Sequence, residues 1–223
     1  MIEIRDLQYR TLHIDYVDIP EGITTIIGKN GSGKTTLLQL CAGITVPESG
    51  TLLIDGTSPR QTNVGWVNEY PDRNMLFSKV YDEISSPLRF QHSAPYTVDR
   101  EVHRIADQLG IRHLLCRLIY DLSGGEKVLV ALASALVADP KIVILDEYDS
   151  HLDSERRLQI EQVIRNSGCR YILRCTQQME TAAGSNTVIM LEAGKLEHAG
   201  HPADVFPHLE GTAHYPLSWR VGL

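Results

Sequence analysis

The sequence contains no apolar run long enough to span a membrane and no cysteine pair at metal-ligand spacing. Its four cysteines, Cys41, Cys116, Cys169 and Cys175, lie far apart, which argues against a disulfide framework and for buried free thiols. Clusters of Lys and Arg are also missing. Pairs such as Arg156-Arg157 read as a solvated helix face, and a formal net charge of −7 leaves no footprint for nucleic acid. The start, Met1-Ile2-Glu3-Ile4-Arg5-Asp6, lacks the basic and apolar regions of a signal peptide. A cytoplasmic protein is expected, with any membrane role supplied by a partner. No internal repeat or low-complexity segment stands out, and 223 residues suit one substantial core.

What is present is led by Gly28-Lys29-Asn30-Gly31-Ser32-Gly33-Lys34-Thr35, which fits the phosphate-binding pattern G-x-x-x-x-G-K-[ST]. The β-branched run Ile23-Thr24-Thr25-Ile26-Ile27 before it reads as a buried strand. The residues from Lys34 to Ala42 read as a helix that stops at Gly43. Strand, glycine loop and helix are the context this motif requires. The glycines let successive N–H groups turn toward phosphate oxygens, and the helix directs its positive end there. Lys34 supplies a charge for the β and γ phosphates, and the Thr35 hydroxyl suits Mg²⁺.

Around this centre, Ile2 to Tyr9 and Leu12 to Tyr16 alternate apolar and polar residues, predicting two antiparallel strands with one solvated face. A strand could return the Tyr9 ring over a nucleotide base, and core packing accounts for Tyr9 equally well. Val64-Gly65-Trp66-Val67 is a short strand leading into the polar loop Asn68 to Asn74. A mainly helical section follows from about Val80 to Leu115. Within it Thr97 is expected to cap a helix whose apolar face is Val98, Val102, Ile105 and Leu109. Asp121-Leu122-Ser123-Gly124-Gly125-Glu126-Lys127 opens a buried helix with a second anion-binding geometry. Lys141 to Leu145 is a buried strand ending in Asp146-Glu147, at the strand end where open α/β sheets bind ligands. Asp146 is expected in a Mg²⁺ shell, and Glu147 is expected to orient or deprotonate a water attacking the γ phosphate. A further helix, the strand Tyr171 to Cys175, a hairpin about Ala193-Gly194-Lys195 and a short helix near Ala203 complete the chain.

With the glycine loop, Leu122-Ser123-Gly124-Gly125-Glu126 and Ile144-Leu145-Asp146-Glu147 in this order, the chain resembles the ATP-binding cassette (ABC) ATPases. Val64 to Val67 followed by Pro71-Asp72 resembles the cobalt and energy-coupling factor importers among them. The resemblance implies an α/β P-loop NTPase fold with a mainly parallel core sheet, an antiparallel N-terminal β lobe and a helical subdomain at roughly 78–138. One domain would span residues 1–223. It implies ATP and Mg²⁺ as ligands, bound by Tyr9, Gly28, Asn30, Gly31, Ser32, Gly33, Lys34, Thr35 and Thr36, with Thr35, Asp146 and Glu69 about the metal. Glu147, Lys34, Gln177 and Glu69 would be catalytic. Ser123, Gly124, Gly125 and Glu126 would act on the ATP of a second ABC ATPase subunit, identical or not. Asp153, in Ser150-His151-Leu152-Asp153, would belong to the loop crossing that dimer. Transmembrane subunits would dock beside Glu69 to Phe77, holding the protein at the inner face of the membrane.

The chain departs from the family at three places. Glu69 replaces a glutamine, Gln177 replaces the histidine of a Thr-His-Asp context, and Tyr148-Asp149 replaces Pro-Thr. Glu69 can still ligate Mg²⁺ but adds negative charge near the γ phosphate. Gln177 can donate a hydrogen bond but cannot carry charge or shuttle a proton. These changes suggest a slow site, the weaker half of a heterodimer. The alternative is a module in which ATP drives dimerisation with negligible hydrolysis.

Overall fold

The computed structural model describes residues 1–71, 75–150 and 152–219. Its first strands follow from the alternating apolar residues. β1 (Ile2–Tyr9) and β2 (Leu12–Ile19) pair antiparallel, with Ile2, Ile4, Leu7, Ile14, Val17 and Ile19 buried. The period of two slips once, where Asp6 takes φ +46°. Tyr16, which strict alternation assigns to the apolar face, is instead 58% exposed and lies against the Arg5 guanidinium, 4.0 Å from ring to cation.

The chain forms two compact units, one joining Met1–Asn63 to the residues from Arg170 onward, the other Val64–Cys169. β3 (Gly22–Ile27), α1 (Lys34–Cys41) and β4 (Ser49–Ile54) complete the first pass through the first unit. The second unit contains β5 (Val64–Val67), α2 (Val80–Phe90), α3 (Pro95–Gln108), α4 (Gly124–Leu136), β6 (Ile142–Asp146) and α5 (Ser154–Arg165). On its return the chain adds β7 (Tyr171–Cys175), α6 (Met179–Ala183), β8 (Thr187–Glu192), β9 (Lys195–Gly200) and α7 (Pro202–Val205) to the first unit.

In the first unit the strands run in the order β4-β1-β2-β9-β8-β3-β7. β3 has parallel neighbours on both sides, β7 and β8, and its run Ile23 to Ile27 is buried throughout, as a doubly flanked parallel strand should be. β1 pairs antiparallel with β2 and β4, which is the expected antiparallel N-terminal lobe. In the second unit β5 and β6 are parallel, from Val64 opposite Ile142 to Val67 opposite Leu145. Gly65 lets α4 approach β5: a Cβ there would stand 2.4 Å from the Ala135 carbonyl oxygen. α3 buries Val98, Val102 and Ile105 as the helical spacing predicts. It starts at Pro95 rather than being capped by Thr97, because proline's fixed φ suits the first helical position. Among the described residues no helix is long and apolar enough to cross a membrane.

The expectation of four buried thiols is corrected at two positions. All four are free, but Cys116 is exposed and Cys169 is only partly covered. Cys41 is buried, and burial pushes its thiol up to about 12. Since the thiolate is the reactive form, a maleimide reagent near pH 7.5 should modify Cys116 in the native protein and reach Cys41 only after denaturation. Intact-mass analysis before and after adding guanidinium checks this, and native labelling of Cys41 would contradict it.

Candidate active site

β3 ends at Ile27, and the chain then turns through three glycines at positive φ: Gly28 (+145°), Gly31 (+81°) and Gly33 (+103°). Ser32 N–H donates to the Lys29 carbonyl at 3.1 Å, and Gly194 N–H donates to the Ser32 carbonyl at 3.2 Å, closing the loop on the β8–β9 turn. Gly33 caps α1 without any side-chain bond, so the first-turn N–H groups are not occupied by a capping side chain. Lys34 is buried, and its ammonium donates to the carbonyls of Gly28 at 3.0 Å and Lys29 at 3.2 Å. The Ser32 hydroxyl is also buried, with no hydrogen-bond partner. A buried ammonium, an orphaned hydroxyl and a helix start without a side-chain cap in one short loop make a cradle that fits phosphate oxygens.

The other expected nucleotide residues of this unit have distinct settings. Tyr9 is half-buried with the Arg10 guanidinium 5.3 Å over its ring, so it is not a core residue. Asn30 and Thr35 are exposed and Thr36 is half-buried. Gln177 is exposed in the loop after β7, where the Thr176 hydroxyl accepts from Gln178 N–H at 2.9 Å. Arg174, which belongs to none of the sequence motifs, is fully buried inside the apolar β7. Its guanidinium donates to Thr25 Oγ1 at 2.8 Å and to the Thr181 carbonyl at 2.7 Å, tying β3 to α6. An arginine within an otherwise apolar strand was the available signal.

The second unit holds Asp146, Glu147 and the segment Ser123-Gly124-Gly125-Glu126. Asp146 ends β6, and Glu147 follows it at φ +46°, a conformation that costs a non-glycine residue about 1–3 kcal/mol. The Glu147 carbonyl accepts from Ser150 N–H at 3.1 Å and from Ser150 Oγ at 2.7 Å. Tyr148 and Asp149 are buried, and the Tyr148 hydroxyl bonds Glu161. A tight turn therefore presents Glu147 while its two neighbours anchor the chain. Asp153 caps α5, accepting from Arg156 N–H at 2.8 Å. His151 lies outside the described residues.

Ser123 and Glu126 form a reciprocal capping box at the start of α4, with Ser123 N–H donating to Glu126 at 2.7 Å. That N–H holds the Glu126 carboxyl below the usual carboxylate range. The box fixes the helix start and leaves Ser123 and Gly124 exposed. Glu69, Gly124, Lys127, Tyr148 and Leu152 share the wall of one cavity of about 200 Å³. The loop after β5, the start of α4 and the segment after Glu147 thus meet within this unit. Glu83 of α2 is buried and accepts from Leu76 N–H at 2.9 Å and Phe77 N–H at 3.0 Å, ordering the end of the expected docking loop. Asp72, Arg73 and Asn74 of that loop are outside the described residues.

Among the described residues no group of three or more His, Cys, Asp or Glu is arranged to hold a metal unaided. Thr35 in the first unit, and separately Asp146 and Glu69 in the second, carry hard oxygen donors of the kind Mg²⁺ takes.

Beyond α7 the chain is irregular but tied down. Phe206 and Leu209 are buried with Ile27, Ala182, Val188 and Met190 in one apolar cluster, against which Tyr215 and Met179 pack. Trp219 meets Phe206 edge-on at 5.3 Å, and Ser218 bonds Glu180 of α6 through both its N–H, at 3.0 Å, and its hydroxyl.

A model of the ABC transporter family matches residues 16–150. The energy-coupling factor transporter ATP-binding protein EcfA1 of Lactiplantibacillus plantarum is 31% identical over 230 residues, covering 94% of this chain and 82% of that protein. The protein of the same name from Mycoplasma pneumoniae is 32% identical over 213 residues, covering 91% and 75%. Among solved structures, CbiO1 of Clostridium perfringens, described as part of the ABC transporter complex CbiONQ, superimposes with a TM-score of 0.84. The identity is 26%, over 92% of this chain and 90% of that one.

Proposed function

Because this chain belongs to the ABC transporter family, we propose that it is the ATP-binding and ATP-hydrolysing subunit of a membrane importer of the cobalt or energy-coupling factor type. The observation that carries this reading is the glycine-loop cradle, with buried Lys34 and the orphaned Ser32 hydroxyl at the start of α1. The two units are read as one cassette, the helices at roughly 78–138 being its helical subdomain. The chain acts at the inner face of a membrane, held there by a transmembrane partner that docks beside Glu69 to Phe77.

The loop N–H groups and Lys34 bind the β and γ phosphates, with Tyr9 as a stacking surface for adenine. Thr35, Asp146 and Glu69 are the candidate Mg²⁺ ligands, and the ion when bound neutralises phosphate charge. Glu147 takes a proton from water as its oxygen attacks the γ phosphorus. The bond from that phosphorus to the bridging oxygen breaks, and ADP leaves. Gln177 donates its amide N–H to the γ phosphate. Ser123, Gly124 and Gly125 serve the ATP of a second ABC ATPase subunit, Glu126 holds that helix start through its capping box, and Asp153 fixes the loop that faces the second subunit.

Glu69 and Gln177 favour a second reading, in which this site is the slow half of a heterodimer. Steady-state hydrolysis by the purified chain with Mg²⁺, beside Gln177→His, separates the two. The histidine variant should be faster by tenfold or more, within the roughly 10²–10³ that one transition-state donor is worth. Equal rates would remove Gln177 as the cause of slowness, and failure of the chain to bind ATP would overturn the reading as a whole.

A further inference from the structure

The C-terminal segment is tied down against the end of β3, the strand that leads into the glycine loop. Tyr215 packs on the cluster containing Ile27, the residue before Gly28. Ser218 is bonded to Glu180, in the helix that follows Gln177. His214 directly precedes the first of these ties. It is half-buried, its main-chain N–H donates to Thr212 Oγ1 at 3.1 Å, and among the described residues no group hydrogen-bonds its imidazole. The charged groups that act on this ring are Lys29 and Lys34 of the glycine loop and Glu192 at the end of β8. Lys29 and Glu192 themselves pair at 3.4 Å.

We propose that His214 is a further nucleotide-binding residue, whose imidazole hydrogen-bonds the terminal phosphates of ATP held in the glycine loop. This deepens the nucleotide reading above and rests on it. An imidazole without a partner beside two ammonium groups is placed for an anion that all three can share. Without nucleotide, burial and then the two lysines hold His214 below its ordinary value, so the ring is neutral near pH 7. Phosphate charge reverses that field. The ring then takes up a proton and donates a charge-assisted bond, so phosphate binding strengthens as pH falls through neutrality. His214 thus returns to the phosphate site the imidazole chemistry that Gln177 lacks.

The test compares the full chain with His214→Ala, His214→Gln and Lys34→Ala, measuring affinity for Mg²⁺ with ATPγS and for AMP. His214→Ala should bind ATPγS about tenfold more weakly, the scale of one lost hydrogen bond to a charged group, and AMP unchanged. His214→Gln, which keeps a donor, should recover part of that loss. The imidazole resonance of His214, assigned by its absence in His214→Ala, should move toward the imidazolium position on adding ATPγS but not AMP. If the chain binds ATPgammaS, Lys34→Ala does not, and His214→Ala matches the chain with an unmoved resonance, the inference fails and the nucleotide reading stands. If the chain binds no ATPγS, the nucleotide reading falls and the inference with it.

Discussion

Replacing Gly28 with alanine is expected to abolish measurable ATP binding and to lower stability by at least about 2 kcal/mol. Two separate effects add at this position. The φ of +145° is a conformation that side-chain-bearing residues rarely adopt. The new Cβ would also stand 2.2 Å from the Leu191 carbonyl oxygen and 2.7 Å from Ser32 Oγ. The Leu191 atom belongs to the backbone of β8, so the strand and the loop must separate. Any such shift displaces Ser32 and the Gly28 carbonyl on which the Lys34 ammonium rests.

Gly31→Ala is the control, because it shares the positive φ, +81°, but no atom lies within 4 Å of its Cβ. Only backbone strain applies there, about 1–2 kcal/mol, and nucleotide affinity should fall far less. Denaturant melts and ATPγS titrations of both variants make the comparison. Equal losses at the two positions would mean that conformational freedom alone, and not the contact with β8, shapes the cradle.

The parts of the fold that were legible in the sequence are those with a strong period or a continuous apolar run. Ile142 to Leu145 and Tyr171 to Cys175 each read as buried strands because parallel neighbours leave no solvated face to mark with polar residues. The glycine loop was legible because its chemistry requires fixed residue types at fixed spacing. Failures came where two local rules compete or where tertiary contacts decide. Proline at the first helical position overrode Thr97 as a cap, and Asp6 shifted the alternation that would have buried Tyr16. The segment after Phe206 has no period, since it is held by Tyr215, Ser218 and Trp219 making separate contacts. Its position against the cluster around Ile27 depends on those contacts, and no local pattern encodes them. The place of Glu147 after a buried strand makes it the candidate to orient or deprotonate a water, but its left-handed backbone has no sequence signature, because glutamate is not a residue that favours it.

That backbone conformation bears on the second large effect, the loss of hydrolysis in Glu147→Gln. The substitution keeps the length and shape of the side chain, so the turn held by Ser150 on the Glu147 carbonyl should persist. It removes only the ability to accept a proton from the attacking water. The turnover number should fall by roughly 10²–10⁴, the range for a lost general base, while ATP affinity stays close to that of the unaltered chain. A strained residue between buried Tyr148 and the end of β6 persists only because its surroundings over-determine it, which fits a side chain selected for position rather than for folding. The same logic predicts that Glu147→Gly relieves the strain and stabilises the protein by about 1 kcal/mol while also losing hydrolysis. Measuring turnover, ATP affinity and melting together gives each outcome a meaning. Hydrolysis that survives in Glu147→Gln would move the base to another carboxylate, with Glu69 the first to replace. Hydrolysis present in the unaltered chain and absent in the variant would show that Glu69 and Gln177 support turnover in place of the usual glutamine and histidine, and the slow-half reading would be withdrawn.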